Sequence, residues 1–291
     1  NGIDLMVYDI QDIGSRYYTY ISTMTYIMEA CAENDIPVII LDRPNPLGGK
    51  IIRGPILKEN FKSFVGMHPI PIIHGMTSGE LGIMINEQNW INSKVDLTVI
   101  PTINWQRKDE YNGSLKGWIA PSPNIPNLET AKIYTGFCLL EGTNISEGRG
   151  TYEPFKFIGA PWMNNNSLTL NINQLENTGL LLKKTEFNPI SINDMAKWPK
   201  YKDKNCNGYQ IMVNSKNIDP LTAAIKFIYL INKNYPNNFE FLENNFIDLL
   251  YGSDDLRNTI LNNENLNKLY STWVHDEEVF RKQRSKYLIY N

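Results

Sequence analysis

Three cysteines in 291 residues are too few and too scattered for a disulfide framework. Cys31, Cys138 and Cys206 are odd in number, no two form a CxxC pair, and two lie inside apolar runs, so all three are expected to fill core. No apolar run approaches the ~18 residues of a membrane span, and no basic-then-apolar leader opens the chain. No GxGxxG or GxxxxGK[ST] follows an apolar run, which removes the usual loops that cradle nucleotide phosphates. Positive charge is not in surplus. The 28 Lys and Arg face 31 Asp and Glu, a net charge of -3, so there is no global field of the kind that draws nucleic acid or anionic lipid. His74 has no second histidine or cysteine at ligand spacing, so neither a metal nor another cofactor is expected, and a hydrogen bond to a ligand or a loop is the better role for it.

What is present is an ordinary globular composition, 42% hydrophobic and 20% charged, on a chain long enough for two domains. Asn1-Gly2 is followed at once by Ile3-Asp4-Leu5-Met6-Val7-Tyr8, a buried-strand pattern with nothing ahead of it, so the chain is expected to be the later part of a longer gene product. Tyr17, Tyr20, Ile21, Met24, Ile27, Met28 and Cys31 recur at helical spacing, and Pro37-Val38-Ile39-Ile40-Leu41 is a continuous apolar run. Strand, helix and strand make a βαβ unit, which implies a parallel pair with covered faces. The alternation continues with a strand at 69–73, a helix from Ser78 to Trp90, a strand at Leu97–Ile100, a short helix near Leu128–Tyr134 and a strand at Phe137–Leu140. An α/β, Rossmann-like domain over residues 1–165 is therefore expected. Beyond it, short alternating stretches at Ser167–Ile172 and Tyr209–Val213, with amphipathic helices near Leu221–Asn232 and Thr272–Tyr287, predict a smaller α+β domain over 166–291.

In open parallel sheets, ligands bind beyond the carboxyl ends of the strands. The polar residues there are Asp9, Gln11 and Asp12; Asp42, Arg43 and Asn45; His74; and Glu141, Asn144, Glu147 and Arg149. Parallel strands would gather them on one rim. Asp12 equally suits a helix cap, and Asp42-Arg43-Pro44 a turn with a local ion pair. Glu80, three residues after Thr77 and before an apolar run, reads as the far end of a capping box. Glu141 follows two leucines and precedes a glycine, a place where a carboxyl group stays partly desolvated and its pKa rises, as a general acid requires. Glu147 lies between Ser146 and Gly148 with Arg149 beside it, a different environment. Two carboxyl groups in unlike surroundings are what glycoside hydrolysis uses. The aromatics Tyr8, Tyr17, Tyr18, Tyr20, Trp118, Tyr152 and Trp162 suit sugar faces, although most such residues are core.

Five stretches in register, YDIQDIGSRYYTYISTM, VIILDRPNPLGG, IPIIHGMTSGEL, APSPNIPNLETAKIYTG and LLEGTNISEGRGTYEPFKFIGAPW, closely resemble the NamZ-type exo-β-N-acetylmuramidases, formerly a domain of unknown function. The likeness covers nearly the whole chain. It implies a Rossmann-like domain beside a smaller auxiliary one, and removal of terminal N-acetylmuramic acid from the non-reducing end of peptidoglycan fragments, so the partner is a muramyl saccharide. It also implies a periplasmic or secreted location. With strand-end position, it puts forward Glu141, Glu147 and Asp12 as catalytic residues, and Asp9, Gln11, Arg16, Asp42, Arg43, Asn45, His74, Asn144 and Arg149 as substrate-binding residues. Relatives carry a further N-terminal segment with a Pro-Glu-His-Gly-like motif, whose glutamate is a leading catalytic candidate. This chain has no counterpart to it, which keeps a non-catalytic carbohydrate-binding relative as the alternative.

Overall fold

A computed structural model describes residues 2–109, 117–163 and 175–291. The chain groups into two compact units, Asn1–Gly117 with Tyr270–Asn291, and Trp118–Leu269.

In the first unit, β1 (Met6–Tyr8), β2 (Val38–Leu41) and β3 (Leu97–Ile100) form a parallel sheet in the order β1-β2-β3, with Val7 opposite Ile39 and Ile39 opposite Thr98. The crossovers carry α1 (Tyr20–Glu33) and α2 (Ser78–Glu87). Ile21, Met24 and Met28 of α1 and Leu81, Met84 and Ile85 of α2 close on Tyr8, Val38 and Ile40. Burying these apolar side chains contributes about 1.5 to 3 kcal/mol each before chain entropy is counted. The strand residues alternate instead of being buried throughout: Val7, Leu41 and Ile100 are 50%, 38% and 46% exposed. Among the described residues of this unit, one face of the sheet is covered, contrary to the expectation of covered faces. The last helix, α7 (Asn267–Arg284), supplies Phe280 to the same core.

The second unit holds α3 (Leu128–Phe137), β4 (Phe157–Ala160), β5 (Leu180–Phe187), β6 (Cys206–Val213), α4 (Pro220–Asn234), α5 (Phe246–Tyr251) and α6 (Asp255–Leu261). Its sheet is antiparallel in the order β4-β6-β5, with Ile158 opposite Tyr209 and Leu182 opposite Ile211. Asp219 caps α4 by accepting from Thr222 N at 3.1 Å, and Pro220 takes the first helical position, where no N–H is needed. Helices α3 and α4 meet at Gly136, where a Cβ would run into the Pro220 carbonyl. Gly136→Ala is accordingly expected to destabilise the protein by about 1 to 3 kcal/mol through overpacking, measured by chemical denaturation. An unchanged midpoint would mean the two helices are not in such close contact.

Three expectations change. The 69–73 segment is not a strand: among the described residues it makes only the isolated bridges Ser15–Ile73 and Arg53–Ile73, because Pro69 and Pro71 each lack the donor a ladder needs. Residues 137–140 are not a strand. They finish α3 and enter a 3₁₀ turn, Cys138–Gly142; an unbroken apolar run does not distinguish a buried strand from a buried helix. The expected division near 165 falls inside the second unit, since α3 and the 3₁₀ turn pack on α4 and α5, and the chain's end returns to the first unit. The strand expected at 167–172 lies outside the described residues. All three cysteines are buried and free.

Candidate active site

In the first unit, the residues after β1 and β2 meet the 72–77 segment. Gln11 Nε2 donates to the Asp12 and Pro44 carbonyls at 2.7 and 3.0 Å. Asn45 Nδ2 donates to Met76 O at 3.0 Å, and its Oδ1 accepts from Leu47 N at 2.9 Å. Asp42 is fully engaged: Oδ1 accepts from Arg43 N and Gly79 N, at 3.0 and 2.7 Å, and Oδ2 from the Tyr290 hydroxyl at 2.6 Å. Arg16 is buried, with Nη1 donating to the Pro55 and Ile70 carbonyls at 2.9 and 2.7 Å. Asp9 and Arg43 form an exposed ion pair at 2.6 Å, a kind that adds little stability.

Asp12, Ser15 and His74 differ from these. Each is buried, and among the described residues Asp12 Oδ1, Ser15 Oγ and His74 Nε2 have no hydrogen-bond partner. The backbone brings them near one another through the Ser15–Ile73 bridge. Asp12 Oδ2 accepts from Gly14 N at 2.6 Å, and Gly14, at φ 81°, adopts the left-handed turn that makes this possible. Burial still prevails and pushes the Asp12 carboxyl up to about 7, from 3.8. His74 Nδ1 accepts from Met76 N at 3.1 Å, so its proton sits on Nε2. Burial, with Arg284 and Arg16 nearby, pulls its pKa down to about 3.

An acid whose folded pKa is raised stabilises the fold below its unfolded pKa, and that contribution disappears as pH rises through the folded value. For Asp12 the window runs from about 4 to about 7. His74 and His68, whose pKa burial lowers to about 4, act in the opposite sense as pH falls below 6.5. The difference between wild type and Asp12→Asn isolates Asp12. The variant is expected to gain on the order of 4 kcal/mol relative to wild type between pH 4 and 8. Parallel stability curves would mean that Asp12 is well hydrated.

The second unit holds the other group. The 3₁₀ turn ends at Gly142, and the following loop is pinned to β4 by Ser146 and Gly159, which exchange backbone hydrogen bonds of 2.8 and 3.1 Å. Arg149 Nε and Nη2 both donate to Glu141 Oε1, at 3.0 and 2.8 Å, and Nε lies 3.8 Å from Glu147 Oε1. The guanidinium carbon stands 5.0 Å from the centre of the Phe155 ring. Glu147 Oε2 is 3.0 Å from Lys200 Nζ, which also donates to the Leu140 and Ile145 carbonyls at 2.8 and 3.0 Å. Burial raises the Glu141 carboxyl above its ordinary range; Arg149 opposes the shift and the Glu147 charge adds to it. Among the described residues, no group donates to Glu141 Oε2. A pocket of about 470 Å³ is lined by Glu141, Glu147, Arg149, Trp198, Lys200 and Phe246, among others. Asn144 is occupied elsewhere: its side chain donates to Asn238 O at 2.7 Å and accepts from Glu240 N at 3.1 Å.

The residues expected on one rim thus belong to two units. Asp9 to Asn45 do follow the parallel strands β1 and β2, and His74 follows the bridged 69–73 segment of the same unit, whereas Glu141, Asn144, Glu147 and Arg149 follow a 3₁₀ turn of the other unit. Lys200 and Trp198 escaped the sequence reading, because they stand more than 50 positions past Glu141 with no spacing signal to link them.

Two family models match, one described as exo-β-N-acetylmuramidase NamZ, N-terminal, over residues 1–129, and its C-terminal counterpart over 132–290. A protein of Bacillus subtilis (strain 168) described as peptidoglycan β-N-acetylmuramidase NamZ is 40% identical over 289 residues, which span 99% of this chain and 68% of the relative. Crystal structures of two DUF1343 family proteins from Bacteroides fragilis NCTC 9343 superpose with TM-scores of 0.89 and 0.80. Their identities are 31% and 37%, over 99% of this chain and 75% and 76% of theirs. The chain belongs to the NamZ family of exo-β-N-acetylmuramidases.

Proposed function

We propose that this protein is a glycoside hydrolase that releases terminal N-acetylmuramic acid from the non-reducing end of peptidoglycan fragments. The observation that carries this reading is the 40% identity, over nearly the whole chain, to a peptidoglycan β-N-acetylmuramidase. The pocket in the second unit supports it. A glycosidase must protonate the leaving oxygen while a carboxylate offsets the positive charge that develops on the sugar. Glu141 carries the proton: its carboxyl is raised, one oxygen is held by Arg149, and the other is open to a ligand. Glu147 supplies the negative charge beside it, which makes Glu141 harder to ionise, and Lys200 and Arg149 keep that charge in place. Asp12, with its carboxyl raised to about 7, is a second acid in the first unit.

The direct test is incubation of the 291-residue chain with muramyl-terminated peptidoglycan oligosaccharides. Free N-acetylmuramic acid should appear from the first time point. Internal cleavage, or release of N-acetylglucosamine alone, would overturn the reading. A pH profile tests the assignment of the acid. Since a general acid works only while protonated, activity should fall as pH rises past the Glu141 pKa. Glu147→Gln removes the neighbouring charge and is expected to move that alkaline limb to lower pH by about 0.5 to 1 unit. An unmoved limb would show that the proton donor does not sense Glu147.

A further inference from the structure

The second unit presents an indole to solvent where burial would be favourable. Trp198 is 77% exposed, and it lines the pocket that holds Glu141 and Glu147. Its backbone is held in place. Asn124 Nδ2 donates to Met195 O at 2.7 Å, Ser191 Oγ donates to Lys197 O at 3.0 Å, and Ile192 bridges Ala196. The ring is therefore displayed on a fixed loop. Two ammonium groups accompany it, Lys197 Nζ and Lys202 Nζ, 5.8 and 5.3 Å from the ring centre.

The charges around the pocket do not balance. Arg149 is matched by Glu141 and Lys200 by Glu147. Among the described residues, Lys202 pairs with Asp203 at 3.8 Å, and no carboxylate lies within ion-pair distance of Lys197. A flat apolar face beside cationic charge that is not offset suits a ligand with a C–H face and a carboxylate. A pyranose supplies the first, and the lactyl ether of N-acetylmuramic acid supplies the second.

We propose that Trp198, with Lys197 and Lys202 over its ring, is a specificity subsite on which a pyranose ring stacks while its carboxylate substituent meets the two ammonium groups. This rests on the muramidase reading and adds the feature that separates N-acetylmuramic acid from N-acetylglucosamine, which lacks the carboxylate. Trp198 acts by holding the sugar, so its loss should raise KM and leave kcat nearly unchanged.

The test uses the 291-residue chain, with turnover of 4-nitrophenyl N-acetylmuraminide and NMR titration with N-acetylmuramic acid and N-acetylglucosamine. Trp198→Ala is expected to raise both KM and the Kd for N-acetylmuramic acid about tenfold, with kcat within about threefold, and Trp198→Phe to recover most of the affinity. Joint replacement of Lys197 and Lys202 by Gln is expected to reduce the preference for the carboxylate sugar about three- to tenfold, leaving N-acetylglucosamine binding unaltered. All three positions lie on the surface loop, and circular dichroism confirms that each variant is folded. If wild type cleaves the muraminide and Trp198→Ala matches it in KM and Kd, the subsite is wrong and the muramidase reading stands. If wild type neither cleaves nor binds, the muramidase reading fails and the subsite falls with it.

Discussion

Replacing Glu141 with Gln is expected to lower turnover of a chromogenic N-acetylmuraminide by about two to four orders of magnitude, the usual worth of a general acid. The substitution keeps the shape and the acceptor oxygen. Arg149 can still donate to the amide oxygen, and it retains Glu147 as a counter-charge at 3.8 Å. Stability should therefore change by no more than about 1 kcal/mol. What disappears is the titratable proton on a carboxyl group that burial and the Glu147 charge have raised. The alkaline limb of the pH profile should vanish with it. If Glu141 only braces the loop, the pattern reverses: stability drops by about 1 to 3 kcal/mol and turnover changes far less. Paired measurement of melting temperature and turnover separates the two outcomes, and near-normal turnover with a lowered melting temperature would remove Glu141 from the chemistry.

The largest effect on stability is expected at Glu80, in the first unit. An exposed capping residue contributes about 1 kcal/mol. Glu80 is fully buried and does more than cap. Its Oε2 accepts from Thr77 N at 3.1 Å, which completes the capping box of α2, while Oε1 accepts from Ile289 N at 3.0 Å and from the Arg107 guanidinium. Arg107 in turn donates to Gly75 O at 2.7 Å, and Arg284 donates to the His74, Gly75 and Gly49 carbonyls at 2.7, 2.6 and 3.0 Å. One carboxylate thus ties α2 to the chain's C-terminal segment and faces two buried guanidinium groups. Burial, with the Arg107 and Arg281 charges nearby, already lowers the Arg284 pKa to about 10. Glu80→Ala leaves this charge uncompensated in a low-dielectric interior and is expected to cost about 3 to 5 kcal/mol, read from chemical denaturation. Glu80→Gln, which keeps acceptors and volume, should lose less. A loss near 1 kcal/mol for the alanine variant would reduce Glu80 to an ordinary cap.

Glu80 also shows where local reading stops. The capping box was legible because Thr77 and Glu80 are three residues apart and precede an apolar run, a pattern written within one helical turn. The βαβ unit was legible for the same reason: the helical spacing from Tyr17 to Cys31 and the apolar run ending at Leu41 describe α1 and β2 with no knowledge of the rest. The family was legible as well, since five polar and glycine-rich stretches recur in order. Tertiary structure alone decided the remainder. An apolar run such as Phe137-Cys138-Leu139-Leu140 has no polar face to reveal its period, so its neighbours α4 and α5 settled it as helix and 3₁₀ turn, and Glu141 with it. Arg107 and Ile289 reach Glu80 from 27 and 209 positions away, and Lys200 reaches Glu147 from 53. Periodicity and spacing extend over a few residues, whereas an ion pair forms between whichever side chains the folded backbone brings within about 4 Å. The chemistry on offer was therefore visible in the residue types, and the partner that gives each carboxyl group its protonation state was visible only in the fold.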